Sequence, residues 1–169
     1  MSLLTNSNTD NLPQKKLDAS WQFNDVRTWQ LPNKQDASTQ IYLTSKKTTF
    51  QNISKTSETT DLLIIKDKPN QTFLISSKQA KTNADQTIEV SDNVQIKIIN
   101  KKNQRTQILN TEKITYNDTD KMIVSETTTH LKQENLTVVG DQFSANLKTG
   151  TYQFKGNVKT TLIHSSPTY

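Results

Sequence analysis

The side chains that could do chemistry in this chain are two histidines, sixteen carboxylates and a group of basic residues, with no cysteine. His130 and His164 have no second histidine or carboxylate at the spacing of a metal-ligand set. The three glycines are too few for a phosphate-binding loop or a nucleophile elbow. The sequence therefore excludes thiol catalysis and cysteine-based zinc sites, and it predicts surface positions for both histidines.

The carboxylates do not form a catalytic set. Asp is favoured in turns because its side chain hydrogen-bonds to nearby backbone amides. Five aspartates fall in predicted turns: Asp85, Asp92, Asp118, Asp120 and Asp141. Glu89, Glu112 and Glu126 follow no common register, so they do not form the aligned row that a polysaccharide-processing enzyme on a β-scaffold would need. We expect no enzymatic activity, no cofactor and no metal, and we rank catalysis last among the function classes.

Positive charge is the next signal. The 21 Lys and Arg against 16 Asp and Glu give a net charge of +5 and a pI near 9.3. This balance suits an anionic partner, although a solvated rim is its simplest explanation. The densest cluster, Lys101, Lys102 and Arg105, lies at a predicted hairpin tip and is a candidate for contact with lipid phosphates. The aromatic residues form no stacking array, so we expect no nucleic-acid partner.

The elements that position these residues repeat along the chain. In each repeat a strand-like run reaches a small polar residue, and an Asn or Gln follows six positions later at a turn. An apolar residue stands two positions before each start. The starts are Ser45, Ser77, Thr111 and Gly140, at intervals of 32, 34 and 29 residues. This spacing predicts a stack of β-hairpins.

Composition agrees with thin, one-sided sheets. Only 31% of the residues are apolar and the mean hydropathy is −0.77, yet β-branched and aromatic residues recur with period two. No proline interrupts residues 70–166, and no long run has helical periodicity. We predict an all-β domain over residues 18–164 with little or no helix. A disordered segment over residues 1–17 and a tail over residues 165–169 are expected to flank it.

Four degenerate motifs then point to a family. They are Phe73-Leu-Ile-Ser-Ser-Lys-Gln-Ala-Lys81, Ile88-Glu-Val-Ser-Asp-Asn-Val94, Ile108-Leu-Asn-Thr-Glu-Lys-Ile-Thr-Tyr-Asn117 and Phe154-Lys-Gly-Asn-Val158. In this order and spacing they resemble the OstA-like periplasmic domains of lipopolysaccharide transport, and most closely LptC. The segment from Ile41 to Lys47 looks like the first strand pair of that family. The resemblance implies a single twisted, V-shaped antiparallel β-jellyroll whose two sheets leave a long hydrophobic groove.

The resemblance also implies a function. LptC-like proteins receive lipopolysaccharide from the inner-membrane extractor, the LptB/LptF/LptG complex, and pass it to the bridge protein LptA. Acyl chains in water cost about 0.8 kcal/mol per methylene, so a carrier needs a continuous apolar lining. The inward parity of the predicted strands supplies one: Ile75, Ile88, Val90, Val94, Ile96, Ile98, Ile114, Tyr116, Leu136, Val138, Phe143, Tyr152, Phe154, Val158 and Leu162.

Open jellyrolls leave unpaired edge strands, which a partner can extend by main-chain hydrogen bonds. By the same resemblance, we expect LptA at the C-terminal edge and the LptB/LptF/LptG complex at the N-terminal edge. The candidate edge residues are Trp21, Phe23, Trp29, Lys155, Lys159, Thr161 and Ile163.

One departure from the family concerns its membrane anchor. The longest apolar run, Leu62-Leu-Ile-Ile65, is far shorter than the ~20 residues of a membrane-spanning helix. We therefore expect a periplasmic domain of an inner-membrane-anchored protein whose anchor is absent from this chain. Two alternatives stay open: a soluble bridge protein of the LptA type, and a β-repeat adhesin or phage-fibre module.

Overall fold

Twelve β-strands make up the regular structure of the chain. The computed structural model describes residues 20–30, 39–117 and 119–163, and these ranges contain no helix. The strands are β1 (Ser20–Gln30), β2 (Gln40–Gln51), β3 (Thr56–Asp67), β4 (Gln71–Thr82), β5 (Thr87–Asn100), β6 (Thr106–Asn117), β7 (Met122–Ser125), β8 (Thr129–Gln133), β9 (Leu136–Gly140), β10 (Gln142–Asn146), β11 (Thr151–Lys155) and β12 (Lys159–Leu162). The predicted all-β class is confirmed. The predicted segment 1–17 and the tail 165–169 lie outside the described residues, as does His164.

All twelve strands belong to one open antiparallel sheet. Strands β1 to β6 follow one another as hairpins in chain order. At β6 the sheet divides, because β7 pairs with the second half of β6 and β8 pairs with its first half. One branch continues through β10 to β11, and the other continues through β9 to β12.

The sheet divides at the level where strand pairing is also interrupted in the long strands. We call this level the corner. Pairing is interrupted at the same level in β1 to β5, at Asp25, Lys46, Asp61, Lys78 and Asp92. Asp25, Asp61 and Asp92 have φ angles of 49°, 50° and 63°, a left-handed backbone that Asp adopts more easily than most residues. We call the half of each strand that leads to β8, β9 and β12 arm I, and the half that leads to β7, β10 and β11 arm II.

The apolar faces of the two arms form one core. Its buried members are Val94, Ile96, Leu109 and Leu131 from arm I and Val90, Ile114 and Phe143 from arm II. Because both arms supply side chains to one cluster, the sheet is bent along the corner with its apolar faces inward. The predicted V-shaped antiparallel jellyroll is confirmed, and its two sheets are the arms of one continuous sheet.

Small hydroxyl residues fill the inside of the corner. Ser45, Ser77, Thr111, Ser125 and Thr129 are all buried there. Within the described part of the chain, no buried side-chain nitrogen or oxygen lacks a hydrogen-bond partner. The repeat starts predicted from the sequence are therefore corner residues, which are small because the backbones of both arms converge on them.

Asparagines close the hairpin tips at the other end of the repeat. Asn117 Oδ1 accepts a hydrogen bond from the backbone N–H of Thr119 at 2.9 Å, and Asn146 Oδ1 accepts one from Lys148 at the same distance. These contacts are Asx turns, which replace a missing backbone partner at the tip. Corner and tip thus fix the length of each half-strand.

Candidate functional site

A row of apolar side chains crosses the inner face of arm I. Cross-strand pairing places one residue from each of seven neighbouring strands in register: Leu43, Ile64, Ile75, Ile96, Leu109, Leu131 and Val138. We call these seven residues the inner row. Neighbouring strands lie about 4.8 Å apart, so the inner row runs for roughly 29 Å. It forms a continuous apolar track perpendicular to the strands.

The facing wall, on arm II, is more polar toward the N-terminal edge. Thr48 and Thr59 pair across β2 and β3 on the inner face, and their Oγ1 atoms lie 3.2 Å apart. Toward the C-terminal edge the same face becomes aromatic. Phe143 and Phe154 have ring centroids 5.1 Å apart, and Tyr152 meets Phe154 edge-on at 6.4 Å. Arm I therefore supplies the continuous lining, and arm II supplies apolar contact mainly at one end.

Fourteen of the fifteen predicted lining residues occupy inner-face positions of the paired strands. The exception is Val158, which lies between β11 and β12 and is 51% exposed. The fourteen differ in depth. Val90, Val94, Ile96, Ile114 and Phe143 are buried near the corner, whereas Tyr152 and Leu162 are more than half exposed. Side chains fill the V near its corner and leave it open farther away. Only the predicted lining residues away from the corner are therefore accessible to a ligand.

Parity changes at the corner hid several inner-face residues from the sequence analysis. On β4 the inner face passes from Ser77 to Ala80, and on β6 from Thr111 to Ile114, so in these strands alternation with period two fails at the corner. The missed residues are Ile41, Leu43, Phe50, Leu62, Ile64, Phe73, Leu109, Ile123 and Leu131. For Leu43 and Leu109, the sequence signal that could have found them was their place two positions before a repeat start.

All of the candidate edge residues except Ile163 lie in edge strands, but they do not share a face. Trp21 and Phe23 on β1 pair with Phe50 and Thr48, which places them on the inner face at the mouth of the groove. Trp29 pairs with Tyr42 on the opposite face.

At the other end of the sheet, the candidate residues follow the two C-terminal edges. Lys155 lies in β11, and Lys159 and Thr161 lie in β12. The backbone N–H of Ile163 donates to Asn135 O at 2.8 Å just beyond β12. The sheet thus ends in one N-terminal edge and two C-terminal edges.

The basic hairpin tip is largely neutralised by acidic neighbours. Lys101 Nζ lies 2.8 Å from Asp67 Oδ1, and Arg105 Nε lies 3.1 Å from Glu134 Oε1. The hydrogen bond from Lys101, together with one from Thr72, lowers the pKa of Asp67. Of the three cations in the cluster, Lys102 alone makes no ion pair within the described ranges, which weakens the case for a phosphate site at this tip.

No constellation typical of catalysis appears in the part of the chain that the structure describes. No three His, Cys, Asp or Glu residues there come together as a metal site. His130 is exposed beside a cleft of about 420 Å³ on the outer side of the corner. Gln95 and Asn110 also line this cleft and hydrogen-bond to each other at 3.0 Å, so its polar walls do not suit an acyl chain. Among the described residues no helix is long and apolar enough to span a bilayer.

Comparison with known proteins agrees with this geometry. The family described as LptC, lipopolysaccharide-assembly, LptC-related, matches residues 34–163, well over half of the chain. No curated protein matches. The family is one of transport proteins rather than enzymes, and its domain is periplasmic. An all-β domain with one apolar inner face, matched over nearly all of its strands, thus belongs to the LptC-related family of lipopolysaccharide-assembly proteins.

Proposed function

We propose that this domain carries lipopolysaccharide across the periplasm with the acyl chains held against the half-buried members of the inner row of arm I, Leu43, Ile64, Ile75 and Val138. The observation that carries this proposal is the unbroken apolar register from Leu43 to Val138. About a dozen methylenes moved out of water contribute on the order of 10 kcal/mol, which a continuous apolar track can supply. The sugar and phosphate groups stay in solvent at the open side of the V.

The burial gradient selects the residues that contact lipid. Buried residues near the corner, such as Val94 at 1% exposure, hold the arms together. Ile64 and Ile75 are half-buried members of the inner row, and Phe50 is a half-buried aromatic on the facing arm. These half-buried side chains are the ones that acyl chains would cover. The groove therefore binds lipid without unpacking the core.

The two ends of the sheet are the sites of lipid entry and exit in this proposal. The LptB/LptF/LptG complex delivers lipopolysaccharide at β1, where Trp21 and Phe23 are 60% and 53% exposed at the mouth of the groove. The bridge protein LptA extends the sheet at β11 or β12. Successive grooves of similar polarity make the handover nearly neutral in free energy, so the direction comes from the ATP-driven step upstream.

Photo-crosslinking tests the groove. A photoreactive residue at position 75 faces the inner row, and one at position 76 faces outward from the same strand. With purified lipopolysaccharide, we expect a crosslink from Ile75 and none from Ser76. The two positions are adjacent and both half-buried, so they form a matched pair that differs in face.

Two results would overturn the proposal. Equal crosslinking from both positions would show adsorption to aggregated lipid, and no crosslink from either would favour a structural or adhesive β-module. An adhesive module of the fibre type would also form trimers, which light scattering coupled to size exclusion detects.

A further inference from the structure

The outer face of arm I carries an apolar row of its own. Trp29 pairs with Tyr42, Tyr42 with Ile65, and Ile65 with Leu74. Lys97, Ile108 and Lys132 continue the same line of cross-strand partners. We call these seven residues the outer row. Trp29 is 64% exposed and Tyr42 is 37% exposed, so the aromatic end of the outer row meets solvent.

The outer face of arm II has no such row, although it is built from the same strands. The corresponding line of partners there is Gln22, Thr49, Glu58, Lys81, Glu89, Thr115, Val124, Ser144 and Gln153. It is polar except at Val124, and its charges are mixed in sign. The apolar character of the outer row is therefore specific to arm I and is not a general property of the sheet.

The outer face of arm I is also positively charged. Lys97 and Lys132 belong to the outer row, and Arg27 and Lys159 lie in the next line of partners toward the corner. Asp67, the acidic residue on this face, is already paired with Lys101. The face thus presents four cations, spread from β1 to β12, on the same side of the sheet as an exposed Trp and Tyr, and its complement is a broad surface of negative charge.

We propose that the outer face of arm I docks on the surface of an anionic lipid bilayer. Trp and Tyr prefer the bilayer interface because their rings are apolar while their N–H and O–H groups are polar. Each lysine or arginine near an anionic leaflet adds about fivefold to binding. The inner row lies on the opposite face of the same strands, so the groove stays free while the protein is docked. This proposal concerns a surface separate from the groove and does not depend on lipid carriage.

The two tryptophans of the chain report on the two faces separately. Trp21→Phe leaves Trp29, on the outer face, as the sole tryptophan, and Trp29→Phe leaves Trp21 at the groove. With vesicles of phosphatidylglycerol and phosphatidylcholine, we expect a blue shift of the Trp29 emission and its quenching by brominated lipid. Trp21 should show neither effect with the same vesicles.

Charge substitutions give an independent test with a matched control. Lys97→Gln with Lys132→Gln removes two charges from the outer face of arm I, whereas Lys47→Gln with Lys81→Gln removes two from the outer face of arm II. Cosedimentation with the same vesicles should weaken about thirtyfold for the first pair and far less for the second. Vesicles of pure phosphatidylcholine should bind every variant weakly.

Three results would overturn the proposal: no sedimentation of the unchanged protein at low salt, equal losses in the two variant pairs, or a shift of Trp21 instead of Trp29. None of these results affects whether a probe at Ile75 crosslinks to lipopolysaccharide. Failure of membrane docking is thereby distinguished from failure of lipid carriage.

Discussion

At the scale of single residues, the hydroxyl groups inside the corner are the most tightly constrained by burial and hydrogen bonding. Thr129 has no exposed surface, and its Oγ1 lies 3.1 Å from Ser125 Oγ and 3.2 Å from Thr111 Oγ1. It also donates to the backbone carbonyl of Thr127 at 3.0 Å. Such a network is stable only when every member has a partner, because a buried polar group without one costs free energy.

Thr129→Val keeps the shape of the side chain and removes its hydroxyl. We expect the free energy of unfolding to fall by about 1–3 kcal/mol, since the groups around Thr129 lose a partner in a buried site. Urea denaturation followed by circular dichroism measures this loss. Thr115→Val, on the outer face of β6, is the matched control and should change stability by less than about 0.5 kcal/mol. Equal effects of the two substitutions would show that the hydroxyl cluster contributes nothing special.

Glu89 predicts a pH dependence of stability. Hydrogen bonds from Lys113, at 2.6 Å, and from Asn83, at 3.1 Å, lower the pKa of the Glu89 carboxyl in the folded state. A lowered folded-state pKa gives stability that is present above the unfolded-state pKa and is lost as pH falls through the folded-state value. The contribution is small because the pair is solvent-exposed on both sides.

Glu89→Gln should therefore flatten the decline in urea midpoint between neutral pH and pH values below about 4. Glu58→Gln removes a carboxylate of the same outer line that makes no ion pair within the described ranges, and it serves as the control. A profile for Glu89→Gln as steep as that of the unchanged protein would contradict the role of Lys113 and Asn83.

At the scale of strands, the sequence predicted the half-strands but not their continuity. The predicted repeat starts Ser77 and Thr111 lie inside β4 and β6, and each of these strands continues on both sides of the start. Hydrophobic alternation depends only on neighbouring residues, so within each arm it predicts correctly which residues face inward. In β4 and β6 the corner between the arms adds one position to the alternation, which alternation cannot distinguish from a turn.

Residues at the hairpin tips and at the corner were easier to predict from the sequence than the residues that face inward on each strand. Asn117 and Asn146 were predicted at turns and form Asx turns there. Asp92 was predicted at a turn, and it lies with Asn93 at the interruption of pairing in β5, where both residues adopt left-handed backbone. Alternation did not predict the inner face across a step of three residues, and this is why Leu109 was missed on β6. On β5 the step from Val90 to Val94 is four residues and keeps the alternation, so Ile96 was found.

Substitutions of Asp92 test how much free energy the left-handed backbone at the corner costs. Its φ of 63° strains any residue with a β-carbon, and Asp tolerates it better than Ala. We expect Asp92→Ala to lower the free energy of unfolding by about 1 kcal/mol and Asp92→Gly to lower it less. Thermal unfolding of the two variants side by side measures the difference. Equal stability of the two would show that the corner imposes no conformational demand at this position.

At the scale of the whole molecule, the resemblance supplied what strand patterns could not. Alternation predicts a one-sided sheet but says nothing about how that sheet bends, and the V shape came from the likeness to the OstA-like domains. The split after β6 has no signal in the sequence, because β7 and β8 follow one another in the chain but join different arms. The two C-terminal edges, one for each arm, were accordingly unforeseen.

The proposed handover to the bridge protein LptA can be tested at the open edges of the sheet. A photoreactive residue at Gln153 in β11 or one at Thr161 in β12 should crosslink to LptA, because sheet extension brings the edge strand of LptA alongside. A probe at Thr28 in β1 should not. Crosslinks from β1 alone would reverse the proposed polarity, and a crosslink from only one C-terminal edge would show which arm continues into the bridge.

The corner also determines where the chain can change in length during evolution. A residue inserted between Val94 and Ile96 would rotate the rest of β5 by one position and turn Ile96 and Ile98 to the outer face. The same insertion at the tip after Asn100 would leave both rows untouched, because the loop there lies beyond the last paired residues. Homologous chains should therefore differ in length at the tips and agree in the number of residues between each corner and the inner row.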